Sequence, residues 1–241
     1  MPSTKGNTTL FYASLFVILV GLAAVLFLRS SAFVIKDIKV EGLNIIQPAE
    51  IERLAAGAKG QNLILFDQDS LSRRITLHPL VNEVSFVRDF PRTLVIKVSE
   101  RTPSALVLVG KGAVEVDGQG VFLRRIESWP QVDYPVITGV TLSDASGPGH
   151  KIDDPLLAAA LNLLGQAPAA LLPLIGEVHV NSIQQLTLFL TSGVEVRLGQ
   201  ATDWKDKLGA LYTLLNDKDY RSIEHGVRYI DFTAAKPVIG R

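Results

Sequence analysis

The chain has 241 residues, room for a membrane anchor and one or two small domains, and its 47% apolar and 20% charged residues are enough to build a packed core. Formal net charge is zero, and after Ser31 there are 22 Lys and Arg against 24 Asp and Glu, a net of −2 that argues against a polyanion such as nucleic acid as partner. Cysteine is absent, which removes disulfides, thiolate metal sites and a cysteine nucleophile together.

Residues 10–28 read LFYASLFVILVGLAAVLFL, 19 residues without a charge, and the uncharged run extends back to Gly6. As a helix they reach about 28 Å, close to the hydrocarbon thickness of a bilayer. The polar outer face of a soluble helix is missing. The predicted organisation is therefore a short tail, 1–9, and a transmembrane helix, 10–28. A cleaved signal peptide is the alternative, because Ser30-Ser31-Ala32 resembles a small-residue cleavage site. The apolar run exceeds the roughly 7–15 residues of a signal peptide, which favours an uncleaved anchor. Flanking charges alone, Lys5 before the helix and Arg29, Lys36 and Lys39 after it, favour an N-terminus outside. That rule weakens for long translocated domains.

From Phe33 the pattern changes to that of a half-buried strand: in FVIKDIKVEG, Ile38 and Val40 share one face, Lys39 and Glu41 the other, and Gly42 ends the run. Pro48 opens a short helix with Ile51, Leu54 and Ala55 on one face, closed by Gly57. After the apolar run Asn62–Phe66, Asp69 is predicted to cap a second helix carrying Leu71 and Ile75, and His78-Pro79 stops it. Val81–Arg88 and Thr93–Ser99 alternate on either side of Asp89-Phe90-Pro91-Arg92, a hairpin with Leu94, Ile96 and Val98 pointing one way. The order strand, helix, helix, strand, strand places both helices on one face of a small sheet.

A second region follows. ALVLV, AVEVD and VFLRR are predicted strands, separated at 110–112 and 118–120. Trp129 to Pro135 is a loop, PVITG a short extended piece, and SDASGPGH (143–150) a surface loop. Asp154-Pro155 opens a helix with Leu157, Ala160, Leu161 and Leu164 inward. EVHV, QLTLFLT and VEVRLG form a meander turning at Ser182 and Ser192-Gly193. Asp203 to Asp217 is a helix whose stripe, Trp204, Leu208, Leu211, Tyr212 and Leu215, reads as core. VRYIDFT (227–233) is the predicted final strand, with KPVIG as a possible extension.

Three stretches now carry a resemblance. They are the entry FVIKDIKVEGL, an aromatic followed by I-x-V-x-G; the hairpin and exit VRDFPRTLVIKVSERTPSA, with Arg88, Pro91, Ile96, Val98, Glu100, Arg101, Pro103 and Ala105; and the series VDGQGVF, PVITG, VRLG, the Lys207-Leu208 helix and YIDF. In order and spacing the chain resembles the FtsQ/DivIB family of bacterial cell division proteins over nearly its whole length. The family often ends its last strand I-D-L-R, where this chain has Phe232 and Thr233 after Ile230-Asp231. The resemblance implies an α+β fold: an N-terminal transmembrane helix, a POTRA domain (β-α-α-β-β) over 33–100, and a β-rich domain with flanking helices over 101–241. It also implies a cytoplasmic N-terminus, main domains outside the inner membrane, and enrichment at the division septum.

No catalytic constellation stands out. His78, His150, His179 and His225 lack the spacing of a metal site, His78 being read as a helix cap. Gly147–Lys151 is not a phosphate loop, Asp67-Gln68-Asp69 lacks the rest of a calcium loop, and Asp153-Asp154 reads as a capping pair. A glycosidase carboxylate pair has no sequence signature of its own. The reading is a binding protein, not an enzyme, with no cofactor.

The last strand is expected to leave one sheet edge open, where an extended segment can add as a further strand. Val227, Arg228, Tyr229, Ile230, Asp231, Phe232, Thr233, Lys236 and Val238 are the candidate docking residues, with Ile230 and Phe232 inward and Tyr229, Asp231 and Thr233 outward. The resemblance implies the FtsB–FtsL pair as the partner at this edge, and other division proteins at the POTRA domain. A POTRA-type assembly or translocation factor is the alternative, against which stands the lack of a β-barrel pattern after the second region.

Overall fold

Nothing charged interrupts the sequence from Gly6 to Leu28, and these residues form one helix, α1 (Lys5–Leu28), long and apolar enough to cross a membrane. The helix starts inside the expected tail, where 6–9 carry no proline and no charge. This computed structural model describes residues 5–109, 112–127, 134–142, 147–200, 203–234 and 236–241. They form two units, 1–100 and 101–241.

In the first unit, β1 (Asp37–Glu41) pairs in parallel with β3 (Thr93–Glu100), which pairs antiparallel with β2 (Val81–Asp89), giving the order β1-β3-β2. Helices α2 (Pro48–Ala55) and α3 (Gln68–Ile75) cover one face. Pro48 at the start of α2 supplies a preset φ where an N–H has no partner anyway. Ile51, Ile75, Leu94 and Ile96 are wholly buried and Leu71 and Val98 nearly so, each contributing about 1.5–3 kcal/mol by leaving water. Asp67, not the predicted Asp69, caps α3, accepting from Ser70 N–H at 3.0 Å; Asp69 lies within the first turn. His78 does not cap a helix through its side chain either: its Nε2 meets Glu50 at 3.2 Å and its Nδ1 accepts from Leu80 N–H at 3.3 Å. The carboxylate of Glu100 accepts the N–H groups of Asn44, Ile45 and Ile46 at 2.8–3.1 Å, tying the end of β3 to the loop before α2.

The second unit is built on one sheet of nine strands: β4 (Pro103–Val109), β5 (Gly112–Asp117), β6 (Phe122–Ile126), β7 (Val136–Thr138), β8 (Ile175–Val180), β9 (Leu186–Leu190), β10 (Glu195–Gly199), β11 (Tyr229–Asp231) and β12 (Val238–Gly240). Their order is β12-β11-β10-β9-β8-β7-β4-β5-β6. β7 is parallel to both β4 and β8, and β11 is parallel to β10; the other neighbours are antiparallel. Helix α4 (Pro155–Gln166), capped by Asp154, joins the core of this sheet through Leu157, Ala160, Leu161, Leu163 and Leu164. Helix α5 (Trp204–Leu215) adds Trp204, Leu208 and Leu211, and a short α6 (Lys218–Ile223), absent from the predicted elements, follows it. The expected loop around Trp129 lies largely outside the described residues, as does 143–146 of the second expected loop.

Two charges on β5 are buried among the described residues, Asp117, which Arg101 meets at 2.7 Å, and the more deeply placed Glu115. Glu115, in the middle of β5, has no exposed surface; Arg124 of β6 donates to both its oxygens, at 2.5 and 2.9 Å, and the Tyr134 hydroxyl at 2.6 Å. Burial pushes the Glu115 carboxyl up, but the bonds from Arg124 and Tyr134 outweigh it and hold the group below its ordinary 4.5. The same contact and burial push the Tyr134 hydroxyl far above its usual range. Arg124→Ala is expected to cost about 1–3 kcal/mol, the penalty of stranding a buried acceptor, while exposed Arg125→Ala costs little. A carboxyl depressed in the fold stabilises above its unfolded pKa and loses that contribution as pH falls through the folded value. In urea titrations Glu115→Gln should therefore be less stable than the parent at neutral pH, the gap closing below pH 4.5.

Candidate functional site

The nine candidate docking residues divide by the pleat. Ile230 is wholly buried, and Phe232 and Val227 are 6% and 8% exposed, all three in the core under the sheet. Tyr229 and Asp231 are half-buried and Arg228, Thr233, Lys236 and Val238 exposed. The alternation expected for Tyr229 to Thr233 is therefore the observed one.

The expected open edge is not where the sequence placed it. β11 spans three residues, not seven, and lies between β10 and β12. KPVIG does not extend it; the chain turns back, and Val238, Ile239 and Gly240 pair antiparallel with Asp231, Ile230 and Tyr229. The reversal begins at Asp231, whose Oδ1 accepts from Thr233 N–H at 2.7 Å and Thr233 Oγ1 at 2.6 Å, a side-chain turn without glycine. Those two bonds hold the Asp231 carboxyl below its ordinary range, so it stays charged. The sheet margin is thus a β11–β12 hairpin, and among the described residues no strand pairs with the outer side of β12.

On the outward face the hairpin meets two β10 residues missing from the candidate set. Arg197 lies over the Tyr229 ring, its guanidinium carbon 4.6 Å from the centroid, and donates to Glu195 at 2.7 Å. On the β12 side the Tyr229 ring covers Gly240 so closely that a Cβ there would collide with the ring. Tyr229 is thereby fixed between a guanidinium and a backbone, presenting an aromatic edge among Glu195, Arg197 and Asp231. A rigid amphipathic ring beside paired charges and unpaired backbone suits recognition of an extended polypeptide. Arg197 and Glu195 were legible as outward residues of VEVRLG, because Val196 and Leu198 are buried. Their meeting with Tyr229 depends on the parallel β10–β11 pairing, which no local pattern announces.

Among the described residues no group of three or more His, Asp or Glu is placed to hold a metal ion. His179 is engaged with Thr138 Oγ1 at 2.8 Å. His225 lines a groove of about 750 Å³ with Tyr212, Tyr220 and Arg221 that reaches Val227 at the foot of the hairpin.

Comparison with known proteins places these features in context. A family model described as "POTRA domain, FtsQ-type" matches residues 33–101, and one described as "Cell division protein FtsQ/DivIB, C-terminal" matches residues 105–232, ending within the turn into β12. Cell division protein FtsQ of Anaeromyxobacter sp. (strain K) is 33% identical over 206 residues, 84% of this chain and 69% of that protein. Its namesake in Myxococcus fulvus is 31% identical over 209 residues, 85% of this chain and 72% of that protein. Among solved structures, the major extracytoplasmic domain of the trans isomer of DivIB from Geobacillus stearothermophilus is 22% identical, with a TM-score of 0.34 over 46% of this chain and 87% of that one.

Proposed function

Since the chain belongs to the FtsQ/DivIB family of bacterial cell division proteins, we propose that it is a non-enzymatic scaffold of the division machinery that holds an extended segment of an FtsB–FtsL-like pair on the outer edge of β12. The observation that carries this reading is the β11–β12 margin: a strand edge without a partner among the described residues, beside a Tyr229 ring fixed between Arg197 and Gly240. Backbone pairing supplies affinity that is tolerant of sequence, and the outward face, with Tyr229, Asp231 and the Glu195–Arg197 pair, supplies selectivity. Because β12 has only three residues, the margin is short enough to resist pairing with unrelated edges. Depleting the protein should then give filamentous cells that elongate without dividing; continued division would oppose a scaffold role.

The same reading places residues 1–9 in the cytoplasm, 10–28 across the inner membrane and 33–241 outside, at the septum. Alkaline phosphatase fused after Arg241 should be active. An inactive phosphatase fusion, with a reporter that works only in the cytoplasm active at the same site, would reverse the topology.

A further inference from the structure

The end of α1 is joined to the POTRA unit by side-chain contacts. The rings of Phe27, in the last turn of α1, and Phe33 meet edge to face at 5.3 Å between centroids, and Phe33 meets Phe90 in the same way at 5.9 Å. Phe90 lies in the turn between β2 and β3. Asn62 Nδ2 donates to the Leu28 carbonyl at 2.8 Å, Arg92 Nε to that of Ala32 at 3.2 Å, and Lys36 N–H to that of Arg92 at 2.9 Å. The parallel register adds a second constraint: Asp37, eight residues beyond Arg29, stands beside Thr93 at the hairpin tip.

The tip therefore sits at the level where α1 leaves the bilayer, and its surface suits that place. Phe90 is 56% exposed although a phenyl ring is costly to leave in water. Leu65, three residues beyond the Asn62 that holds Leu28, is 57% exposed. The adjoining segments 29–37 and 88–92 carry Arg29, Lys36, Arg88 and Arg92 against Asp37 and Asp89, an excess of positive charge. Exposed aromatic and apolar side chains rimmed by cations are what the boundary between headgroups and acyl chains accommodates.

We propose that the β2–β3 tip is a second membrane contact, with Phe90 inserted among lipid headgroups beside the end of α1. A domain so held on its stalk has a fixed height and tilt above the bilayer. The inference needs α1 to span a membrane and is independent of any division partner. The chain's lack of cysteine makes the test direct. Full-length Phe90→Cys and Leu77→Cys, each carrying one environment-sensitive fluorophore, are reconstituted in phosphatidylcholine–phosphatidylglycerol vesicles containing headgroup-level nitroxide lipid. Leu77 is 77% exposed but lies beyond the opposite end of β2, a strand about 26 Å long at 3.3 Å per residue. The label at 90 should be quenched several-fold more than the label at 77, with blue-shifted emission. Should Phe90→Cys fail to fold, Asp89→Cys at the adjoining end of β2 gives the same reading. Quenching at the tip no greater than at 77 would overturn the proposal.

Discussion

Phe232→Ala is expected to cost about 3–5 kcal/mol of stability, the usual range for removing a buried phenyl ring, while Tyr229→Ala, three residues earlier, leaves the melting curve nearly unchanged. Phe232 is 6% exposed in the core, and its N–H donates to the Arg197 carbonyl at 2.8 Å, so the ring is held against the sheet by the backbone as well as by packing. Tyr229 lies on the opposite face, half-buried under Arg197. Its loss frees Arg197 and uncovers Gly240 without opening a cavity in the core. The expected cost of Tyr229→Ala falls on partner binding, about 1–2 kcal/mol, or roughly tenfold in affinity. Thermal melts of both variants beside binding of an FtsB-like segment separate the two effects. Equal loss of stability in both would mean that Tyr229 is a core residue.

Ile96→Ala is the second large effect, about 2–5 kcal/mol. Ile96 is wholly buried, opposite Phe86 on β2 and Val40 on β1, in the middle strand of its sheet. Lys97, the next residue, faces solvent, and Lys97→Ala should change stability by only a few tenths of a kcal/mol. Denaturant unfolding of the two variants reads the register of β3, since a shift by one residue would exchange their effects. A greater loss from Lys97→Ala would contradict the pairing of Ile96 with Phe86.

Much of this fold was legible because its periodicities are local. The spanning helix, the strand–helix–helix–strand–strand order, and the inward faces of Leu94, Ile96 and Val98 all follow from runs shorter than about twenty residues. The landmark glycines of I-x-V-x-G and PVITG have a steric cause: Gly42 and Gly139 take positive φ, and a Cβ at either would strike the carbonyl of Val98 or Val180. Three features escaped because they depend on distant pairing or weak turn chemistry. PVITG is legible as a short extended piece, but the place of β7 between β4 and β8, parallel to both, is not. The turn into β12 is made by Asp231 and Thr233, without the Asn-Gly or Asp-Gly that marks a tight hairpin in sequence. For the same reason the candidate site was legible in its faces but not in its edge, and Arg197 and Gly240 entered only once β10, β11 and β12 were seen side by side.

Pairing of a partner strand with the outer side of β12 can be read by site-specific crosslinking, because the chain has no cysteine of its own. Single cysteines are placed at Val238, 49% exposed on β12, and at Arg125, exposed on β6 at the other margin of the sheet. Each full-length variant is mixed with an FtsB–FtsL-like pair carrying one cysteine at successive positions of its extended segment. Disulfides are expected from Val238→Cys at alternate partner positions, as strand pairing requires, and none above background from Arg125→Cys. Crosslinking at Arg125→Cys instead, or at Val238→Cys without alternation, would contradict strand addition at this edge.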